Sequence, residues 1–238
     1  MPSKEFLQMM KCPTVGHNGG NPKAEIWFCG IENGWSGDES GKGHMKHNME
    51  LLKDPNHKTT YDPVPKGYFI ALRKILKTLG LFDSDSNDPN DWFYKKAKFY
   101  SVNLYPFAFP ARYPTAKADK EILELTGIKT KREYMQECDR LRCANPKWHE
   151  LHKNAKVIVC FGKECWDDFI WQFSKSDREY ELLKEDDKSI TERTTSIELS
   201  LDNGNILILC PHPSSIKPRL DIDKLCGHIR RYLTKGNL

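Results

Sequence analysis

The chain has no apolar run approaching the roughly 20 residues that a bilayer-spanning helix needs, so no membrane partner is expected. Its opening stretch, MPSKEFLQMMKCPTV, lacks the long apolar core and small-residue cleavage site of a secretory leader. A cytoplasmic setting with reduced thiols is therefore expected. Signatures of phosphate and ester chemistry are missing as well. The stretch GDESGKG from Gly37 to Gly43 is one residue short of a nucleotide-binding loop, and Gly43 stands where that loop needs Ser or Thr. No Gly-x-Gly-x-x-Gly follows the first apolar run, and no Gly-x-Ser-x-Gly elbow occurs. Metal signatures fail in the same way. Cys138, Cys143, His149 and His152 have no zinc-type spacing, and the acidic stretch 83–91 lacks the glycine and terminal glutamate of a calcium loop. No metal and no cofactor are expected. There is no internal repeat or low-complexity tract, and no protein partner is evident.

At 238 residues with 38% hydrophobic content, the chain is long enough to bury a core, and a single domain over residues 1–238 is expected. Four apolar runs, at 24–30, 98–103, 156–161 and 206–210, read as buried strands. Helical periodicity occupies 68–79, 131–141, 146–154, 164–173 and 221–233. Strands alternating with helices predict an α/β fold: a three-layer α/β/α arrangement with a central four-stranded, mostly parallel sheet. Asn203-Gly204, between the strand-like runs 196–201 and 205–210, predicts an added edge hairpin. The densely charged stretch 176–193 reads as a solvated excursion. Net charge is only +4, yet the segment from His212 to Leu238 carries all of it, through Lys217, Arg219, Lys224, Arg230, Arg231 and Lys235 against Asp221 and Asp223.

Ligands of open α/β sheets bind beyond the carboxyl ends of the strands, so the residues following each run carry the functional reading. The first run discharges into Gly30-Ile31-Glu32-Asn33-Gly34-Trp35, and the second ends at Asn103 before Leu-Tyr-Pro-Phe-Ala-Phe. The third is followed by Gly162-Lys163 and the fourth by Pro211-His212-Pro213-Ser214-Ser215. An acid, an amide and an imidazole thus fall at one rim, separated by residues that shape the backbone.

This order of motifs resembles the uracil-DNA glycosylase superfamily, across all four strands from about Ala24 to the C-terminus. VNLYPFAF and AKVIVCFG are similar to their counterparts there, and HPSS matches the second motif. The resemblance implies excision of a base from DNA, with DNA as the partner. It gives Glu32, with Asn33 beside it, the water-handling position, and His212 the stabilisation of charge on the departing base. Asn103 would read the flipped base, with Gly30 and Gly34 shaping the pocket and Trp35, or another aromatic shortly after the first motif, stacking on the base. Ser214 and Ser215 would grip phosphates. Ile216, Lys217 and Arg219 would enter the duplex, with Lys163 on the same DNA-binding side. On this reading the basic C-terminal segment becomes part of the DNA surface.

The chain departs from the family pattern at three positions. Glu32 replaces a shorter Asp or Asn, Asn33 replaces Pro, and Gly34 stands where uracil-restricted members carry the tyrosine that blocks pyrimidine C5. An open C5 side points to a modified pyrimidine, such as the glucosylated hydroxymethylcytosine of phage DNA, and hence to antiviral defence. A uracil or mismatch repair glycosylase, a DNA-binding protein without catalysis, and an enzyme acting on small nucleosides are the alternatives. Cys12 stands alone without a Cys-x-x-Cys partner, so the iron–sulfur cluster of some branches is not expected.

Overall fold

The computed structural model describes residues 1–32, 40–53, 67–82, 97–107, 116–162, 165–174, 180–185, 197–201, 204–213 and 220–234. Among them, the apolar runs form β2 (Ile26–Glu32), β3 (Tyr100–Tyr105), β4 (Val157–Phe161) and β7 (Ile206–Cys210). Both faces of these strands are buried, so neither face needed polar residues. Trp27 and Cys29 pack into one hydrophobic cluster, whereas Ile26 and Phe28 pack into a second on the other face. Strands β2–β3, β2–β4 and β4–β7 pair in parallel.

The sheet is mixed and wider than the four expected strands. Its seven strands run β1-β3-β2-β4-β7-β6-β5, where β1 is His17–Gly20, β5 is Tyr180–Glu185 and β6 is Ile197–Leu201. These three strands pair antiparallel to their neighbours. The β6–β7 pair is the hairpin marked by Asn203-Gly204, and the Gly204 backbone, at φ +84°, takes the left-handed conformation that glycine supplies without strain. Part of the charged stretch 176–193 is not an excursion: β5 lies within it and extends the sheet beyond β6. The acidic stretch 83–91 lies outside the described residues.

Helices cover both faces. The first cluster collects side chains from α1 (Lys4–Met9), α2 (Ser40–Lys53), α4 (Ala116–Thr126), α5 (Lys131–Cys143), α6 (Pro146–His152) and α7 (Trp166–Phe173). The second collects α3 (Gly67–Thr78) and α8 (Ile222–Thr234), which also pack against each other. Helix α5 begins at Thr130, whose side chain accepts from the Glu133 amide, and α6 begins at Asn145 followed by Pro146. These caps satisfy otherwise orphaned amides and give both helices sharp starts. No described helix is long and apolar enough to cross a membrane. All eight cysteines are free thiols, and only Cys143 is not buried.

Candidate functional site

The carboxyl edge of the parallel strands brings together several of the residues that sequence singled out. Gly30 on β2 is the register partner of Asn103 on β3, and Glu32 is the partner of Tyr105. The Asn103 side chain lies directly against Gly30: a β-carbon there would sit 2.5 Å from Asn103 Oδ1. Gly30 therefore has a steric reason to be glycine. Asn103 is buried, and its Nδ2 donates to Asn18 Oδ1 at 3.0 Å.

Three strands away, past β4, β7 leads through buried Pro211 to half-buried His212. Strands lie about 4.8 Å apart, so β3 and β7 are separated by about 14 Å. Tyr68, in the first turn of α3, spans that distance. Its ring stacks on His212 at 6.2 Å between centroids and 25° between planes, and meets the Phe161 ring at the end of β4 edge-on at 5.8 Å. Its hydroxyl lies 3.2 Å from Ser101 Oγ, two residues before Asn103 on the same strand. Burial raises the Tyr68 hydroxyl well above the usual tyrosine range, with the hydrogen bond to Ser101 opposing. It therefore remains a protonated hydroxyl at any physiological pH. The neighbouring thiols of Cys160 and Cys210 are also pushed up by burial, so neither supplies a thiolate nucleophile.

Behind Asn103, the chain is fixed by a buried arginine. Arg142 on α5 donates from Nη1 to the Asn103 carbonyl at 3.1 Å and the Leu104 carbonyl at 2.5 Å, and from Nη2 to the Val15 carbonyl at 2.7 Å. Its guanidinium carbon lies 4.7 Å from the centre of the Trp148 ring. The fork geometry of guanidinium lets one residue satisfy carbonyls from two segments at the point where β3 ends.

A second group of titratable side chains adjoins this edge. Tyr105 Oη donates to Asp139 Oδ2 at 3.4 Å, and Gln172 Nε2 donates to Asp139 Oδ1 at 2.7 Å. Burial pushes the Asp139 carboxyl up to about 7 and the nearby Asp168 carboxylate adds to it, against the pull of Gln172, Arg142 and Tyr105. A carboxyl that holds its proton longer in the folded chain than in the unfolded one makes stability fall as pH rises between the two values, about 4 and about 7. Asp139→Asn is therefore expected to gain stability over the wild type at pH 8, by roughly 2–4 kcal/mol, with the gain vanishing near pH 4. Urea unfolding at the two pH values checks this, and an equal difference at both would contradict it.

The remaining sequence-derived residues divide plainly. The backbone of Glu32 closes β2. Asn33, Gly34, Trp35, Lys163, Ser214, Ser215, Ile216, Lys217 and Arg219 lie outside the described residues. In the basic C-terminal segment, the Arg230 guanidinium donates to the Thr78 carbonyl, and Arg231 lies 3.5 Å from buried Glu198. Both of these cations are therefore engaged in holding α8 to the rest of the fold. The cysteine–histidine group has ordinary partners: Cys143 Sγ donates to the Trp171 carbonyl, and His149 Nε2 lies 2.7 Å from the Cys143 carbonyl. Among the described residues, no three or more His, Cys, Asp or Glu are grouped to hold a metal ion.

Asn18, Tyr68, Arg142 and Asp139 were not marked by sequence. Tyr68 read as one aromatic of an amphipathic helix. The available signal was its place in the first turn, immediately after Gly67, where a side chain can reach over a strand end. Neither a known family model nor any curated protein matches the chain.

Proposed function

We propose that the chain is a DNA glycosylase of the uracil-DNA glycosylase type, with that superfamily's three-layer fold. It flips a pyrimidine out of DNA and hydrolyses its N-glycosidic bond to leave an abasic site. The observation that supports this most is that motif residues from separate strands fall at one edge of the sheet: the Gly30–Asn103 register pair on β2 and β3, and His212 after β7, with Tyr68 stacked on His212 and its hydroxyl at Ser101 of β3. A base inside a duplex is inaccessible, so an enzyme acting on it needs an amide to read the extruded base, a group for its departing charge and a carboxylate for the water.

In this reading Asn103 reads the base edge, and His212 stabilises negative charge as the base leaves. Glu32 orients the attacking water and offsets the positive charge developing on the sugar. Ser214 and Ser215 hold phosphates, and Ile216, Lys217 and Arg219 enter the duplex. Gly34 leaves room beside C5, which favours a bulky modified cytosine, such as a glucosylated hydroxymethyl form, over uracil. Glucosylated cytosine is a phage-DNA modification, which gives the activity a role in antiviral defence.

The test is a panel of duplexes carrying uracil, a thymine mismatch or glucosylated hydroxymethylcytosine, scored for abasic sites. Base release from the glucosylated duplex, leaving abasic sites, is expected. Release confined to uracil or to the mismatch would assign the repair reading. Salt-dependent duplex binding without release from any substrate would assign a non-catalytic DNA-binding protein, and indifference to DNA would overturn the proposal.

Tyr68 gives a graded expectation. Tyr68→Phe keeps the ring that packs on His212 and is expected to retain base release within about 2-fold. Tyr68→Leu removes an aromatic contact of about 1 kcal/mol, so single-turnover release should slow about 5- to 10-fold. Equal rates for the two variants would remove Tyr68 from the account.

A further inference from the structure

Strand β1, His17-Asn18-Gly19-Gly20, contains no aliphatic residue, yet it forms the edge of the sheet beside β3. Its register is broken at one place. His17 pairs with Val102 and Gly19 pairs with Ser101, so two steps along β1 correspond to one along β3. Asn18 is the extra residue of a β-bulge, a device that re-aims a side chain out of the strand's alternation. Here it brings the Asn18 side-chain Oδ1 onto the Asn103 side-chain Nδ2, which donates to it at 3.0 Å.

The chain leading to Asn18 is held from several directions. The Gly16 carbonyl accepts from the Asn103 backbone N–H at 2.8 Å, and the Gly16 backbone N–H donates to buried Asn48 Oδ1 at 2.8 Å. Gly16 sits at φ +82°, and a β-carbon there would lie 2.5 Å from the Asn103 carbonyl oxygen. Arg142 holds the preceding Val15 carbonyl. The bulge is thus fixed relative to the amide it contacts.

We propose that Asn18 is the positioning residue that sets which way the Asn103 amide faces a base. The proposal rests on the glycosylase reading and deepens it. A side-chain amide rotated by 180° exchanges its donor and its acceptor. Uracil-type edges present an acceptor at C4 and a donor at N3, whereas cytosine-type edges present a donor at C4 and an acceptor at N3. With the Asn18 oxygen against its Nδ2 the Asn103 amide offers one order, and so separates the two edges; with the Asn18 amide turned the other way it would offer the opposite order. An unlocked amide offers both.

Asn18→Ala removes the lock, and Asn18→Asp keeps an acceptor while removing the donor. Selectivity is the ratio of kcat/KM on the preferred duplex to kcat/KM on the duplex with the opposite edge. Asn18→Ala is expected to lower this ratio about 5- to 10-fold, the equivalent of a hydrogen-bond contribution of about 1–1.4 kcal/mol, with a Tm within a few degrees of the wild type. Asn18→Asp should restore most of it. In the protein without DNA, the Asn103 side-chain amide resonances should shift in Asn18→Ala and return toward their wild-type positions in Asn18→Asp. Unchanged resonances, or unchanged selectivity beside an active wild type, would overturn the proposal. If the wild type releases no base from any duplex, the glycosylase reading falls, and the role assigned to Asn18 falls with it. That failure is distinct from an active enzyme whose selectivity ignores Asn18.

Discussion

Glu32→Gln is expected to lower single-turnover base release by about 10²- to 10⁴-fold, the range general-base groups contribute, while duplex binding stays within a few fold. Glutamine is nearly isosteric with glutamate, so β2 and its pairing with β3 through Glu32 and Tyr105 are expected to persist. It can still donate to and accept from a water molecule. It cannot take a proton from that water or set a full negative charge against the developing positive sugar. The loss should therefore appear in kcat rather than KM. A Gln variant within 3-fold of wild type would remove Glu32 from the chemistry and leave it as the last residue of a strand.

The second large effect is on stability. Arg142→Ala is expected to destabilise the fold by about 3–5 kcal/mol, because it leaves buried carbonyls without donors and opens a cavity. The carbonyls of Val15, Asn103 and Leu104 all lose their guanidinium partner, and Trp148 loses the cation over its ring. For a chain of this length each kcal/mol shifts Tm by about 2–4 °C, so thermal unfolding should fall by about 6–20 °C. Arg142→Lys should recover little, since a single ammonium cannot fork to carbonyls from two segments. A Tm within 2 °C of wild type in Arg142→Ala would show that these hydrogen bonds are replaceable.

The Arg142 effect bears on the candidate site through Asn103. Asn103 lies two residues before the end of β3, where Arg142 and the Gly16 segment fix its backbone while Asn18 and Gly30 confine its side chain. A buried charge is expensive to desolvate. Here it braces the end of the strand that carries Asn103.

How much was legible in the sequence follows from what each residue must do locally. Strands β2, β3, β4 and β7 are continuous apolar runs because both of their faces are covered, and they could be read directly. Strand β1 could not, since His-Asn-Gly-Gly has no strand pattern and is extended only because β3 is beside it. Strand β5 was hidden in a charged stretch. Glu198 alternates with Ile197 and Leu199 and reads as solvent-facing, yet α8 covers it, and it is buried against His228, Tyr232 and Arg231. The same contrast runs through the site. Asn103 and His212 could be placed at the carboxyl edge from sequence because one lies near the end of an apolar run and the other just after one, where an α/β sheet places its ligands. Asn18, Tyr68 and Arg142 come from a bulge, a helix start and a helix on the opposite face, so only the tertiary arrangement brings them to the strand ends.

The most direct test of the central claim is mass spectrometry of the free base and the abasic strand after incubating wild-type protein with glucosylated hydroxymethylcytosine, uracil and mismatched duplexes. The account expects free modified cytosine and abasic strand in equal amounts, with both lost in Glu32→Gln. No free base from any of the duplexes would contradict it.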